Sequence, residues 1–107
     1  ASGLYYIEKV AGSGMKALSG KRVKVHYTIS LLNGTKIDSS FDRGEPLEFE
    51  MGAGNLIPGF DEGISLMMQG SKGVIIIPYV LGYGSKTQGT IPAYSTLVAE
   101  VELLAVF

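Results

Sequence analysis

The chain has 107 residues, which suffice for one domain with one hydrophobic core and are too few for two. Nine basic and ten acidic residues give a net charge of −1 without a basic cluster, which argues against nucleic acid or an anionic membrane surface as a partner. The absence of cysteine excludes disulfides and thiolate chemistry, and a single histidine leaves little for a metal site or a catalytic triad.

Apolar residues make up 46% of the chain, but no apolar run reaches the ~18 to 20 residues that cross a bilayer. We therefore expect a soluble globular domain without a membrane span. A monomer is expected, and the sequence leaves the compartment, cytoplasm or periplasm, unknown. The chain begins with Ala1 and shows no signal-peptide pattern, which leaves open whether residues 1–107 are excised from a longer protein.

The first half of the chain reads as strands joined by turns. Residues 4–10 form a short β-prone run, and residues 22–31 alternate apolar and polar side chains over ten positions. Asn33-Gly34 then predicts a two-residue type I′ hairpin turn. The return strand is expected to include residues 36–40.

Three further strands are predicted downstream. Residues 41–46 read as a loop, and residues 47–51 alternate as a half-buried strand. Residues 73–78 form a continuous apolar run typical of a central strand, and residues 96–106 alternate again.

One amphipathic helix is predicted, starting at Pro58 and running to about Met68, before Gly70. Its apolar face carries Phe60, Gly63, Ile64 and Met67. We therefore predict an α+β fold in which a five- to six-stranded antiparallel sheet wraps around one short α-helix. The long irregular stretch at 80–95 is expected to be functional, because such loops are uncommon in small domains.

Five motifs in register resemble the FKBP family of peptidyl-prolyl cis–trans isomerases, over roughly residues 20 to 105. They are Val25-His26-Tyr27-Thr28, Gly34-x-x-Ile37-Asp38-Ser39-Ser40, Leu56-Ile57-Pro58-Gly59-Phe60-x-x-Gly63, Gly82-Tyr83-Gly84 and Ile91-Pro92.

The resemblance implies a shallow hydrophobic pocket between helix and sheet that holds a proline ring of a peptide or a macrolide immunosuppressant. Phe60 matches the aromatic floor, and the matching wall residues are Tyr27, Phe49 and Ile91. Leu56 and Ile57 match the segment whose Ile57 N–H binds a ligand carbonyl, and the Tyr83 hydroxyl matches a second donor. Asp38 matches the acidic residue of the pocket, with Arg43 as its partner.

Some positions depart from this family pattern. Ile37, Leu47 and Ala99 stand where the best-known members usually carry phenylalanine, so the resemblance implies weaker macrolide binding, which Ala99→Phe is expected to strengthen. The alternative reading of these departures is a non-catalytic proline-peptide-binding or chaperone module on the same fold.

Isomerisation needs no nucleophile, metal or cofactor, because no covalent bond is exchanged, and none is expected here. The expected partners are proline-containing peptides or unfolded proteins, so the enzyme would assist protein folding. His26 is interpreted as a solvated side chain on the polar face of its strand. The hypothesis requires that the ring of Phe60 be open on its pocket side.

Overall fold

Six antiparallel strands form one sheet in the order β1-β5-β6-β2-β3, and β4 pairs with a second part of β2. The computed structural model describes residues 3–18, 20–52, 57–82, 84, 91–92 and 94–107. The strands are β1 (Tyr5–Val10), β2 (Arg22–Leu31), β3 (Lys36–Ser39), β4 (Leu47–Glu50), β5 (Lys72–Ile77) and β6 (Leu97–Val106). The predicted α+β architecture is confirmed.

The alternation in β2 and β6 decides which face of the sheet becomes the core. The two strands pair antiparallel along nearly their whole length, from Val23 opposite Val106 to Leu31 opposite Leu97. Three of their inward-facing side chains, Val25, Tyr27 and Leu103, are at most 5% exposed. Period-two patterning over ten residues therefore predicts both the strands and their buried faces.

Helix α2 (Pro58–Ile64) lies against β5, and two glycines allow this close approach. A Cβ added at Gly63 would lie 2.5 Å from Cδ1 and 2.6 Å from Cγ2 of Ile75, and one added at Gly59 would overlap Ile77. The helix therefore packs closely enough on the sheet to bury the side chains of Phe60 and Ile64.

Helix α2 ends earlier than predicted, at Ile64 rather than near Met68. The N–H groups of Leu66 and Met67 donate to the carbonyls of Gly63 and Ile64, three residues back. These bonds replace the four-residue bonds of an α-helix, so the chain forms tighter turns after Ile64. The carbonyl of Met67 accepts the N–H of Ala17 at 3.2 Å instead of continuing the helix. Met67 is nevertheless fully buried, as its position on the apolar face predicts.

A second, one-turn helix α1 (Ser40–Arg43) occupies residues predicted to be a loop and the end of β3. Ser39 caps it, because its hydroxyl accepts the N–H of Asp42 at 3.4 Å. Gly44 ends it in the left-handed conformation at φ 78°, with its N–H bonded to the Phe41 carbonyl. The loop prediction was wrong because Ser39 and Gly44 cap both ends of a single helical turn.

The hairpin between β2 and β3 also differs from the prediction. Gly34 has φ 90°, whereas Asn33 has a negative φ, so the turn is not type I′. Leu31 N–H donates to the Thr35 carbonyl and Gly34 N–H to the Leu31 carbonyl, which defines a three-residue loop at 32–34. Asn33 instead uses its side-chain oxygen to accept the Thr35 N–H at 2.9 Å.

None of the helices in the described residues is long and apolar enough to span a membrane.

The contact between Gly63 and Ile75 predicts the effect of adding one methyl group. Gly63→Ala should lower the free energy of unfolding by about 1 to 3 kcal/mol, because overpacking outweighs the helix-propensity gain of up to ~1 kcal/mol. In an Ile75→Ala background, where the colliding atoms are removed, the same change should be neutral or stabilising. Urea denaturation of the four proteins measures this, and equal losses in both backgrounds would contradict the packing argument.

Candidate functional site

Three aromatic side chains from three different elements meet between α2 and the sheet. The rings of Tyr27 on β2 and Phe60 on α2 meet edge to face, with centroids 5.3 Å apart and an interplanar angle of 74°. The ring of Phe49 on β4 lies 6.2 Å from that of Phe60. In the pairing of β2 with β4, Val23 lies opposite Phe49 and Val25 opposite Leu47. Strand β2 therefore carries Tyr27 and also fixes the position of Phe49.

The ring of Phe60 is more covered than the sequence hypothesis required. Its side chain is 2% exposed, and those of Tyr27 and Phe49 are 5% exposed each. The expectation of a ring open to solvent is therefore wrong for this structure. The Phe60 ring therefore presents almost no surface to solvent.

A polar network lies beside the aromatic cluster and shares Tyr27 with it. The Tyr27 hydroxyl donates to Asp38 Oδ2 at 2.7 Å, and Arg43 Nη2 donates to the Tyr27 hydroxyl at 2.8 Å. Arg43 Nη1 closes the triangle by donating to Asp38 Oδ1. The expected pairing of Arg43 with Asp38 is confirmed, and Tyr27 joins it.

The ionisation of this network follows from its surroundings. Burial raises the pKa of the Tyr27 phenol; the hydrogen bond from Arg43 lowers it, and the Asp38 carboxylate raises it again. The hydrogen bond with Tyr27 raises the pKa of Arg43, which stays cationic. At neutral pH the Tyr27 hydroxyl therefore keeps its proton and donates it in the bond to Asp38.

The ion pair lies at the rim of the site rather than in the core. The side chains of Arg43 and Asp38 are 44% and 45% exposed, and the Arg43 guanidinium carbon lies 5.5 Å from the centroid of the Tyr27 ring. A pair this exposed contributes little to stability, so its main effect is to orient the carboxylate.

The predicted apolar wall residues differ in how much surface they present. Ile91 belongs to the hydrophobic core and is 4% exposed. Ile37, Leu47 and Ile57 are half-buried and pack against the core from outside. Ala99 pairs with Ile29 and Ile75 in the middle of the sheet and has no exposed surface. A phenyl ring at this position would overpack the core, so Ala99→Phe is no longer expected to extend an open pocket wall.

Two predicted site residues, Leu56 and Tyr83, lie outside the described residues. The neighbours of Tyr83 are held by backbone hydrogen bonds: the N–H groups of Gly82 and Gly84 donate to the Tyr79 carbonyl at 3.1 and 2.9 Å. The N–H of Tyr94 in turn donates to the Gly84 carbonyl at 2.9 Å.

Two residues next to the network were not predicted to belong to the site. His26 is not simply solvated: its Nδ1 lies 2.7 Å from the Ser40 hydroxyl, and its ring stacks on Phe41 at 4.3 Å between centroids. Ser40 is fully buried and also accepts the N–H of Tyr27 at 2.8 Å. The Ser39-x-x-Asp42 capping pattern was the available signal, since a helix there turns Ser40 back toward β2.

Comparison with known proteins agrees with the geometry. The family model for FKBP-type peptidyl-prolyl cis-trans isomerases matches residues 14–104. An FK506-binding protein of Neisseria meningitidis serogroup A is 48% identical over 97 residues, covering 90% of this chain and 89% of its own. Peptidyl-prolyl cis-trans isomerase FPR2 of Saccharomyces cerevisiae is 48% identical over 94 residues, covering 86% of this chain and 70% of its own.

Solved structures show the same fold. The crystal structure of FkpA from Escherichia coli matches with a TM-score of 0.91 at 40% identity, covering 97% of this chain and 48% of that one. The crystal structure of AtFKBP13 matches with a TM-score of 0.91 at 38% identity, covering 97% and 93%. The sequence resemblance is thereby confirmed: this chain belongs to the FKBP-type peptidyl-prolyl cis–trans isomerase family and is an enzyme that accelerates rotation about X–Pro bonds.

Proposed function

We propose that the aromatic cluster of Tyr27, Phe49 and Phe60, with Ile91 beside it, receives the proline ring of a polypeptide and catalyses rotation of its X–Pro bond. The observation that supports this proposal is that Tyr27 belongs to both the aromatic cluster and the polar network. Its ring packs on Phe60, while its hydroxyl bonds to Asp38 and Arg43. One side chain thus joins an apolar surface for the proline ring to a polar rim for the peptide carbonyl.

An apolar cluster lowers this barrier because of how amide resonance changes during rotation. The planar imide has a polarised carbonyl, and twisting it breaks the resonance at a cost of about 18 to 20 kcal/mol. The twisted form is less polar, so a dry aromatic surface disfavours the planar form more. Such a difference between ground and transition state raises the rate, by tenfold for each ~1.4 kcal/mol.

The carboxylate of Asp38 acts in the same direction when the carbonyl oxygen lies near it. The oxygen carries more negative charge in the planar form, so a nearby negative charge destabilises the planar form more than the twisted one. Arg43 and the Tyr27 hydroxyl hold the carboxylate in place by hydrogen bonds. The Ile57 N–H and the Tyr83 hydroxyl would orient the peptide; Ile57 precedes the first turn of α2, where N–H groups lack intrahelical partners.

Binding must open the surface above Phe60, because its ring is 2% exposed. We infer that the half-buried side chains at the mouth, Ile37, Leu47 and Ile57, change rotamer to admit the proline ring. Such rotations of partly exposed side chains take picoseconds to nanoseconds, far faster than isomerisation.

The proposed substrates are polypeptides with accessible X–Pro bonds, including unfolded proteins, and we propose that residues 1–107 act as one monomeric isomerase domain. The FK506-binding names of several relatives support macrolide binding at the same surface. We propose that this affinity is lower than in family members with an aromatic rim, because Ile37 and Leu47 supply less contact area.

The first prediction from this proposal concerns the floor of the site. Phe60→Ala should lower kcat/KM by at least about tenfold, because the loss of the ring opens the cluster to water. Met67→Ala, also a large-to-small change at a buried site, is the matched control and should keep activity within about twofold while costing about 2 to 5 kcal/mol of stability. A protease-coupled or NMR exchange assay on an X–Pro peptide measures both. Equal losses in the two variants would contradict the assigned floor.

The second prediction concerns charge at the rim. Asp38→Asn keeps the shape but removes the charge, and kcat should fall about tenfold while stability changes by less than about 1 kcal/mol. Asp42→Asn is the matched control, since Asp42 pairs with Lys36 at 2.7 Å on the outside of α1. Its kcat should stay within about twofold of the parent's. Unchanged turnover in Asp38→Asn would remove Asp38 from the catalytic site.

The third prediction concerns the macrolide. Leu47→Phe should tighten binding of FK506 by about threefold to tenfold, because the half-buried position 47 gains apolar contact area. Leu66→Phe, on an exposed site just beyond α2, should leave the affinity unchanged. Titration calorimetry compares the two, and equal dissociation constants would show that position 47 does not contact the ligand.

A further inference from the structure

The side of β2 that faces β3 and β4 has an interruption at Tyr27. The pairing with β4 spans Arg22 to Val25, and the pairing with β3 begins at Thr28. Between them, the Tyr27 N–H donates to the Ser40 hydroxyl at 2.8 Å, and that hydroxyl lies 3.3 Å from the Tyr27 carbonyl oxygen. The Ser40 side chain therefore replaces a strand partner for the residue that joins the two halves of the site.

Ser40 also connects Tyr27 to the helix that carries Arg43. Ser40 is the first residue of α1 and Arg43 is the last. The hydrogen bonds that hold Ser40 against β2 therefore also fix the backbone position from which the Arg43 side chain extends. Arg43 then contacts the Tyr27 hydroxyl and Asp38 from that fixed start. A shift of α1 along β2 would move the guanidinium away from both partners.

His26 is a further hydrogen-bond partner of the Ser40 hydroxyl. The Ser40 oxygen accepts the Tyr27 N–H, and its one hydrogen points to the Tyr27 carbonyl 3.3 Å away. The imidazole Nδ1 at 2.7 Å is therefore the third partner that, together with these two, fixes the rotation of the group. The His26 ring is held in turn by Phe41, stacked at 4.3 Å and 14°. Phe41 belongs to α1, so this stacking is a second contact between α1 and β2, in addition to the hydrogen bonds of Ser40.

We propose that Ser40 and His26 are positioning residues of the isomerase: they place α1 on β2 so that Arg43 orients Asp38 and Tyr27 for the reaction. This inference rests on the proposed function of the Tyr27, Asp38 and Arg43 network. It assigns a role on the outer face of the sheet to a histidine that touches no substrate.

The test separates the hydrogen bond of His26 from its ring stacking. His26→Phe keeps a ring against Phe41 but loses the nitrogen, and kcat/KM should fall about fivefold, mainly through kcat. His26→Asn restores a polar atom near the position of Nδ1 and should recover activity to within about twofold. Lys24→Gln, two residues away on the same face of β2, is the control and should leave kcat/KM unchanged.

A double-mutant cycle shows whether the effect passes through Arg43. Arg43→Gln alone should lower kcat/KM about fivefold or more, and adding His26→Phe should then change it by less than about twofold. A purely structural histidine would instead lower the denaturation midpoint while leaving the kcat/KM of the folded protein unchanged. That result overturns the proposal, as does a fivefold loss that persists in the Arg43→Gln background.

Measurements without substrate keep this test independent of the proposed function. In His26→Phe, NMR should show a shifted Arg43 Nε–Hε signal and faster hydrogen exchange at the Tyr27 amide, both restored in His26→Asn. Unmoved signals would overturn the positioning role. If Phe60→Ala and Asp38→Asn keep full activity while these signals move, the site assignment fails but the linkage between His26 and Arg43 stands.

Ser40→Ala tests the hydroxyl directly. It should accelerate exchange at the Tyr27 amide more than His26→Phe does, because it removes the acceptor itself. His26→Phe carries the kinetic test if Ser40→Ala does not fold, since Ser40 is fully buried. A folded Ser40→Ala protein with unchanged kcat/KM would overturn the proposal.

Discussion

The close packing of α2 on β5 is the contact on which the site depends. Gly59 and Gly63 face Ile77 and Ile75 with no room for a Cβ, so the helix lies directly on the sheet. A helix held this close brings Phe60, in its first turn, against the aromatic side chains of the sheet. With larger residues at the two glycine positions the helix would stand further off, and the aromatic cluster would lose its contacts.

Strand β2 connects the two faces of the sheet because its side chains alternate. Tyr27 points into the core and His26 points away from it, yet both bond to Ser40 at the edge of the sheet. The alternation that makes β2 an ordinary half-buried strand therefore also links an outer-face histidine to an inner-face tyrosine. A one-residue change of register would break both bonds at once.

The site combines two environments with different energetic roles. The aromatic cluster is almost fully buried, so it contributes to stability in addition to its proposed role as the surface for proline. The Asp38–Arg43 pair is about half exposed, so it adds little stability but determines orientation. The proposed mechanism therefore combines a buried floor, which neighbouring side chains must uncover, with a polar rim that is exposed without such movement.

The sequence by itself determined the strands, the start and apolar face of α2, and the family, because periodicity and local motifs act over a few residues. It also paired Arg43 with Asp38. Tertiary contacts decided the rest: after Ile64 the chain closes into turns, and the carbonyl of Met67 accepts the N–H of Ala17, which is far away in the sequence. The coverage of Phe60 and the bond between His26 and Ser40 likewise depend on residues far apart in the chain, which no local pattern encodes.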